Sequence, residues 1–208
     1  MTETVGLMVP MLPPENASEL NDLALDLATK VSSFAGMLNP VVSRPVGDLV
    51  RSMNGYSSNL IEGHDTHPRG IDRAIAEDYS SEQKKRALQK EAVAHIAVQK
   101  MIADGEAPAL CPLASEYGQW IHKEFCERLP EELLWVETPD TGEKIKVIPG
   151  VHRERIVKVG RHIQPLLENL DKFLRRFDAG RKTRITILPE IAPCAWVKIC
   201  LPGYSYNA

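Results

Sequence analysis

The chain has 208 residues, of which 43% are apolar and 25% charged, and its formal net charge is −3 with a pI of about 6.1. That size and composition fit one large domain, or one domain with a short appendage, and the slightly acidic balance excludes a strongly basic nucleic-acid binder. The longest uncharged run near the start, "VGLMVPMLPP", is too short and proline-rich to span a bilayer and lacks the basic flank of a secretory signal, so a cytoplasmic chain without a membrane or nucleic-acid partner is expected.

In chain order, Ser18 is a good N-cap for "ELNDLALDLATKVSSFAGML", where Leu20, Leu23, Leu27 and Val31 fall at helical spacing. Gly36 or Asn39-Pro40 ends that run. The next helix is expected to open at Ser43 with an early Pro45. Val46, Leu49, Val50, Met53 and Leu60 form its apolar stripe, and Gly63 stands where a helix-stopping glycine would. Residues 64–79 read as a loop. A long helix follows from near Ser80 or Ser81 to Asp104-Gly105, with candidate core positions Leu88, Ala92, Ile96 and Ile102. "LASEYGQWIHKEFCERL" predicts another, with Leu113, Tyr117, Trp120, Ile121, Phe125 and Leu129 on one side.

The period then changes. Two apolar runs flank Pro139-Asp140-Thr141-Gly142 in "LLWVETPDTGEKIKVIPG", which predicts a β-hairpin, and "RIVKVG" is expected to add a short extended segment. Helix returns in "PLLENLDKFLRRFD" through Leu167, Leu170, Leu174 and Phe177. Trp120 and Trp135 read as core or hairpin anchors and Arg153 and Arg155 as solvated. Cys111, Cys126, Cys194 and Cys200 form no CxxC pair, which points to reduced thiols, with Cys111 and Cys126 serving as small apolar residues, rather than to zinc. Residues 1–178 hold 21 Lys+Arg against 27 Asp+Glu, whereas residues 179–208 hold four against Glu190 alone. Pro189, Pro193 and Pro202 break this last segment, so no long helix is expected there.

Helical geometry directs attention to "SSNLIEGHDTHP". With Leu49, Met53 and Leu60 taken as the buried direction, Ser58 and Glu62 point almost oppositely and stack on each other one turn apart. On that reading Glu62 is a solvated carboxylate unless another part of a protein supplies a partner. Its place at the negative end of the helix dipole mildly favours a partner.

Ser58-Asn59-Leu60-Ile61-Glu62-Gly63 resembles the inhibitory motif of Fic proteins, [S/T]-x-x-x-E-[G/N], and "SSNLIEGHDTHP" as a whole looks like the helix end and following loop of members that carry this inhibitor N-terminally. "PGVHRERIVKVGRHIQP", residues 149–165, resembles their flap, and the likeness covers roughly residues 5–178. It implies a mainly α, Fic-like helical domain with a small β-hairpin flap, incomplete at its C-terminus. The expected divisions are an N-terminal extension and helix (1–44), an inhibitory helix (45–63), the N-terminal part of the domain (64–178, flap 133–163) and a divergent, disordered tail (179–208). Such proteins move AMP from ATP, with magnesium, to a hydroxyl of a target protein. Ser58, Glu62 and Gly63 would obstruct ATP by pairing Glu62 with an active-site arginine. Val157, Lys158, Val159 and Gly160 would offer a β-edge to the target's extended segment.

The family's catalytic signature, H-[P/x]-F-x-[D/E]-G-N-G-R-x-x-R, supplies a general base, a magnesium ligand and a phosphate cradle. None of the six histidines opens such a motif and no GNGR run occurs, so no catalytic residue and no metal ligand are expected in this chain. A frameshift or truncation near residue 179 is the expected origin, with binding of ATP and magnesium lost. Losing the central helices is expected to expose the stripes at Leu88–Ile102 and Leu167–Phe177 and to leave marginal stability. Partners implied by the resemblance are a protein target, an intact Fic protein receiving Glu62 in trans from a non-enzymatic helical module, or a second copy of the chain.

Overall fold

The computed structural model describes residues 17–61, 63, 66–112, 114–137, 142–155, 158–159, 162–163 and 166–182. They form a mainly helical structure of six α-helices with two small antiparallel hairpins.

Helix α1 (Ser18–Met37) starts one residue earlier than expected from sequence: Ala17, not Ser18, holds the N-cap position, and Ser18 is the first helical residue. None of its residues is buried. Leu20, Leu23, Leu27 and Val31, expected to face a core, are 43–64% exposed. Periodicity shows that a helix has an apolar side, not that the same molecule covers it.

Helix α2 (Pro40–Ile61) begins three residues earlier than expected, because Asn39 accepts the Val41 N–H through Oδ1 at 2.9 Å and Pro40 takes the first helical position. Pro45 consequently lies inside the helix. The burial assigned from sequence is inverted. Val46, Leu49, Val50, Met53 and Leu60 are exposed, whereas Ser52, Gly55 and Asn59 are buried. Gly55 lies on the packed side, where a Cβ would meet Ile96 Cγ1 of α4 at 3.7 Å, ordinary contact that leaves room for a methyl and no more. The polar members of this face are satisfied: Ser52 Oγ donates to Asp72 Oδ1 at 3.2 Å and Asn59 Nδ2 to Thr66 Oγ1 at 3.4 Å.

The segment predicted as a loop over 64–79 contains helix α3 (Pro68–Ile75), with Ile71 and Ala74 buried. His67 caps it, Nδ1 accepting the Arg69 N–H, and Pro68 fills its first position. It ends in a Schellman motif, Glu77 N–H to Ala74 O and Asp78 N–H to Arg73 O. The left-handed position is occupied by Glu77 (φ 61°) rather than glycine, which is why the sequence hides this ending.

Helix α4 (Gln83–Ala103) is packed against α2, α3 and α5 (Ser115–Cys126). Its buried residues, Gln89, Ala92, Ala94, Val98 and Gln99, encircle more of the helix than the single predicted stripe. The stripe expected to be exposed is thus largely covered. Ala94 and Val98 join Ala114, Tyr117, Ile121, Phe125 and Cys126 in the main core, with Ile102, Trp120 and Leu129 packed against it. The end predicted at Asp104-Gly105 is observed, Gly105 taking φ 79°.

Strands β1 (Trp135–Glu137) and β2 (Lys144–Lys146) form the predicted antiparallel hairpin, in the register Trp135↔Lys146. Trp135 anchors it from outside, 46% exposed with Lys146 Nζ 5.8 Å from its ring centroid. Strands β3 (Lys158–Val159) and β4 (His162–Ile163) pair antiparallel as a second hairpin. Helix α6 (Leu167–Lys182) buries Phe173, with Leu167, Leu170, Leu174 and Phe177 half-buried, and takes in residues 179–182, the first four of the tail expected to be disordered. It also completes α5. The N-cap residue Ala114 has no capping side chain, and Asp178 accepts the Ser115 N–H at 3.0 Å and the Ser115 hydroxyl. Residues 183–208 lie outside the described residues.

Two substitutions test this packing. Phe125→Ala should lower the unfolding free energy by about 3–5 kcal/mol, measured as a shift of the urea midpoint. Gly55→Ala should raise stability by about 0.5–1 kcal/mol through helix propensity, since its methyl meets Ile96 at ordinary contact distance, whereas Gly55→Leu should lower it by about 1–3 kcal/mol. Equal effects of the two Gly55 changes would show that α2 and α4 do not meet there.

Candidate functional site

Two constellations carry the residues singled out from sequence, and different elements hold them. The first is the C-terminal end of α2. Ser58 is half-buried on its last turn, which corrects the outward direction inferred from the apolar stripe: the side of α2 that packs is the Ser52–Gly55–Asn59 side. Gly63 adopts φ 76° and its N–H donates to Leu60 O at 3.0 Å, as a C′ glycine does. Glu62 lies outside the described residues. This helix end is fixed by polar links rather than by apolar contact. Besides the bonds from Ser52 and Asn59, buried Gln89 of α4 donates to Gly70 O at 2.7 Å and accepts the Ser80 N–H at 2.7 Å, clasping both ends of the segment that contains α3. Sequence reasoning missed Gln89. A glutamine inside a long helix gives no signal of its own until the loop it satisfies is known.

The second constellation is the loop leading from β2 to β3. It is pinned on α5 at Gly150, whose N–H donates to His122 Nδ1 at 2.9 Å and whose carbonyl accepts from Gln119 Nε2 at 3.3 Å. Gly150 has φ 75°, and a Cβ there would come within 3.0 Å of Lys123 Cβ, so glycine is required both by conformation and by space. His122 is buried. Because its Nδ1 accepts a hydrogen bond, the neutral ring carries its proton on Nε2, which faces Cys126 Sγ at 3.5 Å. Burial, and secondarily the charge of nearby His152, holds its pKa below the ordinary 6.5. Downstream, Lys158 and Val159 form β3, while Val157 and Gly160 lie outside the described residues. Arg155 is paired with Glu143 at 2.7 Å rather than simply solvated, and Arg153 donates to the Arg155 carbonyl.

The chain matches no family model, no curated protein and no solved structure. Its chemistry is therefore argued from its own residues. Among the described residues no group of three or more His, Cys, Asp and Glu is placed to hold a metal ion, and no helix is long and apolar enough to cross a membrane. An open cleft of about 450 Å³ lies between α4 and the segment after α5, with Tyr79, Lys90 and Arg128 among its lining. Arg128 is engaged by Glu124 at 2.7 Å, so the cleft does not present a set of converging free cations. Cys126 is buried within the core and Cys111 is exposed.

The His122–Gly150 bond makes a signed prediction. Since the folded pKa is depressed, the unfolded chain takes up this proton first, and the contribution of His122 is present above pH 6.5 and lost as pH falls below it. The slope cannot exceed about 1.4 kcal/mol per pH unit for one proton. Urea midpoints at pH 7.5, 6 and 5 should fall more steeply for the wild type than for His122→Gln. Parallel curves would remove His122 from the acid response.

Proposed function

We propose that this chain is the inhibitory and target-docking portion of a Fic-type protein adenylyltransferase, and that the 208 residues by themselves do not transfer AMP. The observation that carries the reading is the order of two segments: Ser58-x-x-x-Glu62-Gly63 closing a helix, then "PGVHRERIVKVGRHIQP" around a short hairpin. The left-handed Gly63 supports it, because a motif that must end a helix at a fixed residue needs a glycine there. In this reading Glu62 pairs with an arginine of an active-site loop and withdraws that arginine from the γ-phosphate. The β3–β4 hairpin offers an edge for an extended target segment.

The residues present do not fit ATP and magnesium. The six histidines stand at 64, 67, 95, 122, 152 and 162, and none begins an HPFxDGNGR-like run that would provide a base and a phosphate cradle. His122 is no substitute, being buried and committed to Gly150.

Labelled-AMP incorporation from ATP into protein should not exceed a no-enzyme control. Incorporation above it would overturn the assignment of inactivity. The family assignment is tested by replacing residues 179–208 with the catalytic half of an intact Fic adenylyltransferase. The chimera should transfer AMP weakly, and Glu62→Gly should raise the rate about tenfold or more by freeing the phosphate-binding arginine. A folded chimera inactive with either residue would sink the Fic reading.

A further inference from the structure

The turn that carries Gly150 lies at the surface of α5. Val151 N–H donates to Ile148 O at 3.2 Å and Gly150 takes φ 75°, so Ile148-Pro149-Gly150-Val151 is a type II turn with proline and glycine at its central positions. The turn's own bond uses the Val151 N–H. The Gly150 N–H is left to point out of the turn, and it donates to His122 Nδ1 at 2.9 Å. Ile148 is 55% and Val151 46% exposed, so apolar burial adds little to this seating. A second polar link to α5, from Gln119 Nε2 to the Gly150 carbonyl, is longer at 3.3 Å. Upstream, Val147 is fixed independently, its N–H donating to Leu134 O at 2.7 Å and its side chain packing on the main core.

A backbone N–H can only donate, so this bond exists only while Nδ1 is unprotonated. Protonation would set a second donor against the first, on a buried ring. From this donor polarity we propose that His122 is an acid-released catch. Unprotonated, it seats the Ile148–Val151 turn on α5; protonated, it lets the turn lift and water reach the ring, while the core between α4 and α5 stays folded. The surroundings offer the charged ring no compensation. Its Nε2 faces Cys126 Sγ at 3.5 Å, a weak acceptor. His152, from the loop, opposes a positive ring, and with burial it puts release on the acid side of pH 6.5. Lys123, whose Cβ borders Gly150, is a like charge and is paired with Glu127 at 3.9 Å. On the helices packed against α5, His95 of α4 lies edge-on to Phe125, and Asp178 of α6 is committed to Ser115. Lifting the turn is the cheaper response, because its own bond does not involve His122 and staying in place would keep an unpartnered charge buried. The turn precedes β3, so its release also frees the approach to the β3–β4 hairpin. The catch uses only α5 and the turn, and it stands whether or not the Fic reading holds.

Hydrogen exchange of the Gly150 amide in the 208-residue chain tests the catch, read by NMR between about pH 7.5 and 5 as protection relative to an unstructured peptide at the same pH. Protection should fall with acid by up to about tenfold per pH unit, the limit for one proton, while the core amides of α4 and α5 keep theirs. The Gly150 amide shift and the His122 ring should titrate with one midpoint. His122→Asn keeps an acceptor near the Nδ1 position but cannot titrate, so it should flatten the pH dependence. His122→Phe should leave the amide unprotected at every pH. His152→Gln should keep the dependence and move its midpoint up. If the His122 variants do not fold, the two midpoints in the wild type decide. Gly150 protection that stays constant down to pH 5, or that falls together with the α5 amides, overturns the inference. So does a dependence that survives His122→Asn or vanishes in His152→Gln, or a pair of unequal midpoints.

Discussion

The arrangement rests on α4 being packed from more than one side. A helix can be covered by α5 on one flank and by α2 and α3 on the other only if its contact residues are small or can satisfy polar neighbours. Ala92, Ala94 and Val98 meet the first condition and Gln89 the second. Through Ala94 and Val98, α4 fixes α5, which in turn holds Gly150 through Gln119 and His122. Through Ile96 and Gln89 it fixes α2 and α3, and hence the helix end at Gly63. The two constellations therefore depend on one helix while touching different elements. Weakening α4 disturbs both, and weakening either contact leaves the other standing.

What holds each constellation is polar and local. At the α2 end the buried groups are Ser52, Asn59, Thr66 and Gln89, all paired with side chains or backbone. Such contacts add little net stability each, about 0.5–1.5 kcal/mol, but leaving one partner buried and unpaired costs more, so they specify geometry strongly. That is the property needed where a residue must be presented at a fixed place. The apolar core contributes stability elsewhere, around Phe125 and Ile121.

The legible parts of the sequence were those in which the signal is short-range. Asp104-Gly105 ends a helix because a left-handed residue must follow it. Pro139 to Gly142 separates two strands because turn residues interrupt two apolar runs. The core of α5 was legible through Tyr117, Ile121 and Phe125, since one neighbour covers one stripe. Helix α3 was hidden by Pro68 and Gly70, which read as loop punctuation although Pro68 starts the helix, and by Glu77 at the position glycine usually marks. The burial of α2 was misread for a deeper reason. Hydrophobicity ranks faces by transfer free energy, whereas α2 packs on its own chain through small and polar residues, with Gly55 beside Ile96, Ser52 bonded to Asp72 and Asn59 to Thr66. The same inversion reorients Ser58, whose direction had been set from the wrong face. The exposure expected on α4 and α6 falls instead on α1 and α2, because the available neighbours cover the helices later in the chain.

The outward stripe on α2 and the 58–63 segment at its end cannot be independent of each other. The stripe runs to Leu60, and Ser58 and Gly63 lie within a turn of it. A 22-residue helix is stiff over its length of about 33 Å, so whatever seats against Val46, Leu49 and Met53 also sets the position and freedom of its last turn. Anything that seats on the stripe is thereby linked to presentation of the 58–63 segment, and by reciprocity anything that holds that segment acts back on the stripe. The small, polar face holds α2 to its own chain, the apolar face is left exposed, and the 58–63 segment sits at the end of both.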